Sequence, residues 1–487
     1  MKETAYYHDQ KLVEFMGNPL IEALPPMEAP ENYPKRLMVL PAYSDEDREM
    51  DATYRLARLQ GLSHIHIPTK EDSMLMLGIS RCLRWSYVGR NPIPFEQVRE
   101  LLEKAGTEVT ESLERYLTCP KAPMYGFPVL GISGVGKTTS VENVLSLFPQ
   151  VISHTIFREI PFDHEQLVWL KVDCPPDGTP KGLCSEILKG VDQVLRSDYT
   201  EQILRNRMSK DVLLIKVSRL IQSLSLGILV IDDIQNLCGA KETVSNELLS
   251  FMVSMTNSLR IPVIMVGSPK ILRLLQREFQ QAKRASGEGE VRMDLMARDS
   301  QEWDWYIKTI WRYQYTANKV NLTSRMKETF FEESVGNPFV ASMLYKLVQD
   351  DAIISRKEKF GVADVRRVSK EKMGITAKMR GDMLAGVDVE LNAYRHLWEA
   401  ADSMGRMQDL AGSRKSKKDT DGKDYNASVT ELSARLETMG IPMNEARSYA
   451  RQAIAAYPND DNQDVLFGYA MALYKATKKS EEGISSD

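Results

Sequence analysis

Between Asp72 and Trp85 the apolar residues Met74, Leu75, Leu77, Ile79, Cys82 and Leu83 recur at helical spacing, and Gly89-Arg90-Asn91-Pro92 stops the pattern. A second helix is predicted from Phe95 to Leu117. Pro128 to Thr139 then reads as a strand, a glycine loop and the start of a helix that ends near Phe148. Two β-rich stretches, Val151 to Phe157 and Gln166 to Val172, joined by a short polar connection, predict a hairpin at a sheet edge. Helices over 182–195 and 212–224, separated by a basic turn, lead to the apolar strand Gly227 to Ile231. A helix from Glu247 to Leu259 precedes the strand Ile261 to Val266. This alternation predicts an α/β fold, a mostly parallel sheet covered by helices on both faces. After Pro269 no further strand is expected. Residues 270–375 read as helical, and Trp303, Trp305, Tyr306, Trp311, Tyr313 and Tyr315 are expected in a core rather than on a base-stacking surface.

The two ends have a different texture. Pro19, Pro25, Pro26, Pro30 and Pro34 predict an extended arm over residues 1–55, free to meet a partner. Residues 56–118 form a helical lead-in, 119–272 the α/β core, and 273–375 a helical region placed to act as its lid. Residues 376–426 read as a helix and a flexible linker, because Gly412 to Asn426 is rich in Ser, Lys, Asp and Gly. Over 427–487, Leu432, Leu436, Met439, Ala446, Ala450, Ile454 and Ala455, then Val465, Leu466, Ala470 and Leu473, predict three short helices in a small C-terminal partner-binding domain.

Composition narrows the class only a little. A chain of 487 residues, 43% hydrophobic, can bury a sizeable core. Its apolar runs fall short of the roughly 20 residues that cross a bilayer. The N-terminus lacks a basic-then-apolar signal pattern, which predicts a cytoplasmic protein. Five scattered cysteines, without CxxC spacing, imply buried thiols rather than a zinc site or disulfides. A net charge of −4 argues against a protein coated in positive charge but permits a local basic surface.

The sharpest chemical signal is Gly131-Ile132-Ser133-Gly134-Val135-Gly136-Lys137-Thr138, a P-loop by spacing and context. In such a loop, backbone N–H groups turn toward phosphate oxygens and the following helix adds the positive end of its dipole. Gly131, Ser133, Gly134, Val135, Gly136, Lys137, Thr138 and Thr139 are therefore the candidate ATP-binding residues. Lys137 reaches the β- and γ-phosphates, and Thr138 offers its hydroxyl to Mg²⁺. Asp232 and Asp233 follow the apolar strand directly, where paired acids are costly without a cation. Asp232 is the second candidate for holding Mg²⁺.

Strand, P-loop, helix and acid pair together resemble the AAA+ ATPases. That resemblance implies further roles. Asp233 stands where a glutamate usually polarises the attacking water, and the shorter acid implies slow hydrolysis. Ser268, in Val266-Gly267-Ser268-Pro269, stands where a polar residue senses the γ-phosphate, with a turn or helix cap as the alternative. Arg284 is favoured, over Arg273, Arg277 and Lys283, as the arginine sent into a neighbouring subunit's site, with a basic helix end as the alternative. Tyr87 and Arg90 would border the adenine, with a helix stop as the alternative.

Words outside the ATPase motifs resemble one family, TnsC, the AAA+ regulator of Tn-seven-like transposons. They are Asn18-Pro19-Leu20-Ile21-Glu22-Ala23-Leu24-Pro25-Pro26, Tyr87-Val88-Gly89-Arg90-Asn91-Pro92, Phe148-Pro149-Gln150-Val151-Ile152 and Leu170-Lys171-Val172-Asp173-Cys174. Leu229 to Gln235 and Pro262 to Lys270 follow in the same order, so the likeness spans roughly residues 10–290. It implies ATP-dependent assembly as a ring or filament on double-stranded DNA without sequence preference. It also implies a target selector of the TnsD or TniQ kind and activation of TnsA- and TnsB-like transposase subunits. Thr179, Lys181, Arg205, Arg207 and Lys210 would then face the DNA. A helicase loader or replication initiator, and a nucleotide-switched scaffold that never meets DNA, are the alternatives.

Overall fold

A computed structural model describes residues 2–118, 126–204, 209–271 and 289–374, with scattered positions between 433 and 450. The chain divides into one unit over residues 1–399 and a second over 400–487.

In the first unit the elements run β1 (Lys2–Thr4), α1 (Pro19–Glu22), α2 (Tyr33–Leu37), α3 (Ala52–Arg58), α4 (Lys70–Tyr87), α5 (Phe95–Lys104) and α6 (Glu111–Thr118). Next come β2 (Pro128–Gly131), α7 (Lys137–Ser146), β3 (Val151–Phe157), β4 (Ile160–Leu167), β5 (Trp169–Asp173), α8 (Pro180–Leu195), α9 (Tyr199–Leu204), α10 (Lys210–Ser223) and β6 (Ile228–Asp232). After α11 (Glu242–Ser258), β7 (Val263–Gly267) and β8 (Val291–Met293), four described helices follow: α12 (Gln301–Ile310), α13 (Ser324–Ser334), α14 (Pro338–Ile354) and α15 (Val362–Lys372).

The main sheet has the order β5-β6-β7-β2-β8 and every pairing in it is parallel. Strand alternation sends Leu229, Ile231, Val263 and Met265 into one core with α8, α10 and α11. Ile228, Val230, Ile264 and Val266 enter a second core with α4 and α7. Burial on both faces explains why these strands read as continuous apolar runs.

Three local expectations change. The hairpin is β3 with β4, antiparallel in its own three-stranded sheet with β1. Its turn is the pair Arg158 and Glu159, both at positive φ. The stretch 166–172 instead straddles the end of β4 and the start of β5, which lie in different sheets; β4 has no apolar run to mark it, because Asp163, His164, Glu165 and Gln166 follow one another in it. A strand does exist after Pro269: β8, three residues long and too short to show a period, pairs with β2. The helix expected from Phe95 to Leu117 is two helices, because Gly106 at φ 82° reverses the chain and lets Thr107 N–H donate to the Leu102 carbonyl at 2.9 Å.

The early prolines also act differently. Pro19 and Pro34 occupy first-turn positions of α1 and α2, where a missing N–H costs nothing. Phe15, Leu20, Ile21, Leu24, Tyr33 and Leu37 are buried in the core they share with α4.

The aromatic cluster is core, with Trp303, Tyr306, Trp311, Tyr313 and Tyr315 buried, while Trp305 is 40% exposed. Cys82, Cys174 and Cys184 are buried and Cys238 is exposed; Cys119 lies outside the described residues. Among the described residues no helix is long and apolar enough to cross a membrane, and no group of His, Cys, Asp or Glu could hold a metal ion on its own.

In the second unit Leu436, Ile441, Ala446 and Ala450 are buried. Ala446 N–H donates to the Pro442 carbonyl at 2.9 Å, a helical turn. Leu432, Met439, Ile454, Ala455 and the expected third helix lie outside the described residues.

Candidate functional site

The carboxyl ends of β2, β5, β6 and β7 lie side by side, and the loops leaving them form the site. Between β2 and α7, Gly134 and Gly136 have φ of 84° and 102°, left-handed values that favour glycine. A Cβ on Gly131 would lie 2.5 Å from the Met293 carbonyl oxygen, so β8 pins the loop's first glycine. Among the described residues, a Cβ on Gly136 would meet no atom within 4 Å. That side faces the cleft, with the N-terminus of α7 behind it, as an anion cradle requires. Lys137 Nζ donates to the Ile132 carbonyl at 2.9 Å, back across the loop. Burial lowers its pKa, while the charges of Asp232 and Asp233 work to raise it.

Across from the loop, Asp232 is 4% exposed. Its Oδ1 accepts from the Asp233 N–H at 2.9 Å. Asp233 itself sits at φ 51° and accepts from Gln235 Nε2 at 2.8 Å. The other end of that amide, Gln235 Oε1, accepts the Ser268 N–H at 3.0 Å. Gly267 makes this possible, since a Cβ there would lie 2.4 Å from Gln235 Oε1. One glutamine therefore ties the acid after β6 to the hydroxyl residue after β7. The Ser268 hydroxyl is buried and finds no hydrogen-bond partner among the described residues, an orphan that a ligand oxygen would satisfy.

The lid closes the third side. Asn337 is fully buried and caps α14, its Oδ1 accepting from Val340 N–H at 3.3 Å. Its Nδ2 donates to the Ser133 carbonyl at 3.0 Å, and Phe339 N–H donates to the Gly134 carbonyl at 3.3 Å. Beside this contact lies a cavity of about 900 Å³, walled by Ile67, Gly136, Met293, Asp294, Tyr306 and Pro338 among others. It has the size and mixed apolar and polar lining of a small-ligand pocket.

Tyr87 and Arg90 are not in that cavity. Tyr87 Oη donates to the Ser225 carbonyl at 3.0 Å, and Arg90 donates to the Ser86 and Leu226 carbonyls at 2.7 and 2.9 Å. Both hold the amino end of β6, the opposite end of the sheet from the P-loop. Their word stops a helix and locks a turn, so the adenine role is withdrawn on geometry.

Thr179 caps α8, its Oγ1 accepting from Gly182 N–H at 2.9 Å. Lys181 is exposed on the same helix. Lys210 Nζ lies 2.8 Å from Glu247, and its residue shares a groove with Pro180. Arg205 and Arg207 lie outside the described residues, as do Arg273, Arg277, Lys283 and Arg284.

Residues 127–275 match a family model described as an AAA domain. The fold is that of an AAA+ P-loop NTPase. Among solved structures, this AAA+ fold is similar to the Walker-type ATPase of Pyrococcus abyssi, at 14% identity over 52% of this chain and 70% of that one, with a TM-score of 0.32. It is similar to the Aeropyrum pernix ORC1 protein in complex with DNA, at 15% identity over 57% and 64%, TM-score 0.37. A third is the Drosophila ORC bound to DNA, at 11% identity over 72% and 87%, TM-score 0.33. No curated protein matches the chain.

The AAA+ geometry fits a nucleoside triphosphate with a divalent cation. The cradle, the orphaned Ser268 hydroxyl and the acid after β6 follow the carboxyl ends of the neighbouring strands β2, β7 and β6. Thr138 and Asp232 would hold the cation, Lys137 the phosphates, and the 900 Å³ cavity the base. Asn337 and Gln235 were missed in the sequence. Asn337-Pro338 reads there only as a helix start, because the partner carbonyl is 204 residues away.

Proposed function

We propose that this chain is an ATP-dependent AAA+ switch that assembles as a ring or filament on double-stranded DNA, links a target-selecting protein to a transposase and activates insertion. The observation that carries the switch is the bond from Asn337 in the lid to the P-loop carbonyl of Ser133. Through it, phosphate in the cradle and the position of α14 are mechanically joined. The ordered TnsC-like words outside the ATPase motifs support the transposition reading.

Bound ATP supplies charge that orders the cradle, and its Mg²⁺ neutralises the phosphates. This chain's residues do the remaining work. Lys137 would exchange the Ile132 carbonyl for a phosphate oxygen, Asp233 would orient a water under the hold of Gln235, and the Ser268 hydroxyl would donate to the terminal phosphate. DNA contact through Lys181 and Lys210 would be sequence-independent, each phosphate neutralised adding about −0.9 to the log–log salt slope of binding.

Electron microscopy with duplex DNA and a slowly hydrolysed ATP analogue tests the reading. Rings or filaments around the duplex, formed with the analogue and absent with ADP, are expected. Monomers under both conditions overturn it. Assembly without DNA would favour a scaffold instead.

A further inference from the structure

The acid after β6 has a partner that the nucleotide reading does not use. Lys171 sits in β5 between Leu170 and Val172, which face the α8 core, so its side chain points the other way, toward α7. Its Nζ lies 3.2 Å from Asp232 Oδ2 and 2.8 Å from Glu142 Oε1. The Lys171 side chain is only 19% exposed. Glu142 follows Thr138 by four residues on α7, so the two share one face of the helix a turn apart. The ammonium therefore bridges the helix that carries the Thr138 hydroxyl to the strand end that carries Asp232.

We propose that Lys171 is a positioning residue that sets the divalent-cation requirement of this site, an internal counter-ion that competes with the metal for Asp232 and is itself held back by Glu142. This rests on the ATP and Mg²⁺ reading above and gives its metal site a control that reading lacks.

The chemistry makes the two variants act with opposite signs. A divalent cation held by Thr138 and Asp232 would share the Asp232 carboxylate with the Lys171 ammonium, and two cations drawn to one carboxylate repel. Without the ammonium, the Asp232 carboxylate would attract the cation more strongly. Glu142 draws the same ammonium toward the exposed surface. Removing the Glu142 charge releases Lys171 wholly to Asp232 and makes the cation harder to bind. A merely structural Lys171 would instead give the two variants the same sign, because both break one bridge.

The test is a Mg²⁺ titration of fluorescent ATP-analogue binding to the full chain, repeated with Mn²⁺ followed by its electron paramagnetic resonance. Lys171→Met keeps the apolar stem and should lower the half-saturating metal concentration about three- to tenfold. Glu142→Gln, at a half-exposed position that leaves the fold intact, should raise it about twofold or more. The double variant should match Lys171→Met, because Glu142 acts only through Lys171. An unchanged or raised midpoint in Lys171→Met overturns the proposal. If that variant does not fold, an unchanged or lowered midpoint in Glu142→Gln overturns it equally. A wild-type chain that binds no nucleotide at saturating Mg²⁺ would overturn the nucleotide reading, and this one with it. Wild-type binding with unmoved midpoints in the variants removes only the role of Lys171.

Discussion

The side-chain amide of Asn337 donates to the Ser133 carbonyl at 3.0 Å while its oxygen caps α14. One buried residue thus serves the P-loop and the lid at once, and a Cβ on Gly134 would lie 2.8 Å from its Oδ1. Asn337→Ala loses the cap and the loop bond together. The expected cost is about 1–2 kcal/mol of stability, read by chemical denaturation, with weaker nucleotide binding and less difference in lid hydrogen exchange between ATP and ADP. A lid that still responds fully to nucleotide would show that the coupling runs elsewhere.

Lys137→Ala removes the one cation of the cradle. A charged hydrogen bond of this kind contributes about 1.5–3 kcal/mol, so nucleotide affinity should fall about ten- to a hundredfold. ATP-dependent assembly on DNA should disappear with it. A variant that still assembles with ATP would contradict the phosphate role.

Gln235 offers a way to separate binding from turnover. Because its amide holds both Asp233 and the Ser268 N–H, Gln235→Ala should slow ATP turnover about tenfold or more while changing nucleotide affinity little. Asp233→Glu should raise turnover if the shorter acid limits it. Steady-state phosphate release and equilibrium binding, measured on the same samples, distinguish these outcomes from a loss of affinity.

The β3–β4 hairpin against which the N-terminal segment packs carries a pH dependence of its own. His154 Nε2 lies 3.0 Å from Gln166 Oε1, and Gln166 Nε2 donates to the Leu20 carbonyl, so the amide faces the ring with its acceptor. His154 therefore donates from Nε2, and Nδ1 accepts from Tyr7 Oη at 2.8 Å. Burial is the main cause that pushes its pKa down to about 4 from the ordinary 6.5, and nearby His164 adds to it. The unfolded chain takes up this proton below about 6.5 and the folded chain only near 4, so the unfolded state binds more protons in between. Stability from this group is complete above pH 6.5 and is lost as pH falls toward 4, by up to about 3 kcal/mol. His154→Gln should flatten that part of the profile, read by denaturation at several pH values; an unchanged slope would assign it to other groups.

Much of the α/β core was legible because a strand buried on both faces has no choice but to be apolar along its length. The P-loop was legible for a similar reason, since glycines at left-handed φ and a lysine at fixed spacing leave few alternatives. Tyr87 and Arg90 misled because a helix stop and a base-pocket lead-in use the same residue types, and only the position of Ser225 and Leu226 tells them apart.

By itself, then, the sequence determined the parallel sheet, the phosphate loop and the acid pair, all features written by local spacing and burial. The tertiary structure alone decided which residues meet across that site. Asn337 reaches Ser133, Gln235 reaches Ser268, and Lys171 stands between Glu142 and Asp232, because separate strands end at one edge of the sheet. The physical reason is range: periodicity reports a residue's own helix or strand, whereas a hydrogen bond closing a loop of dozens or hundreds of residues leaves no periodic trace along the chain.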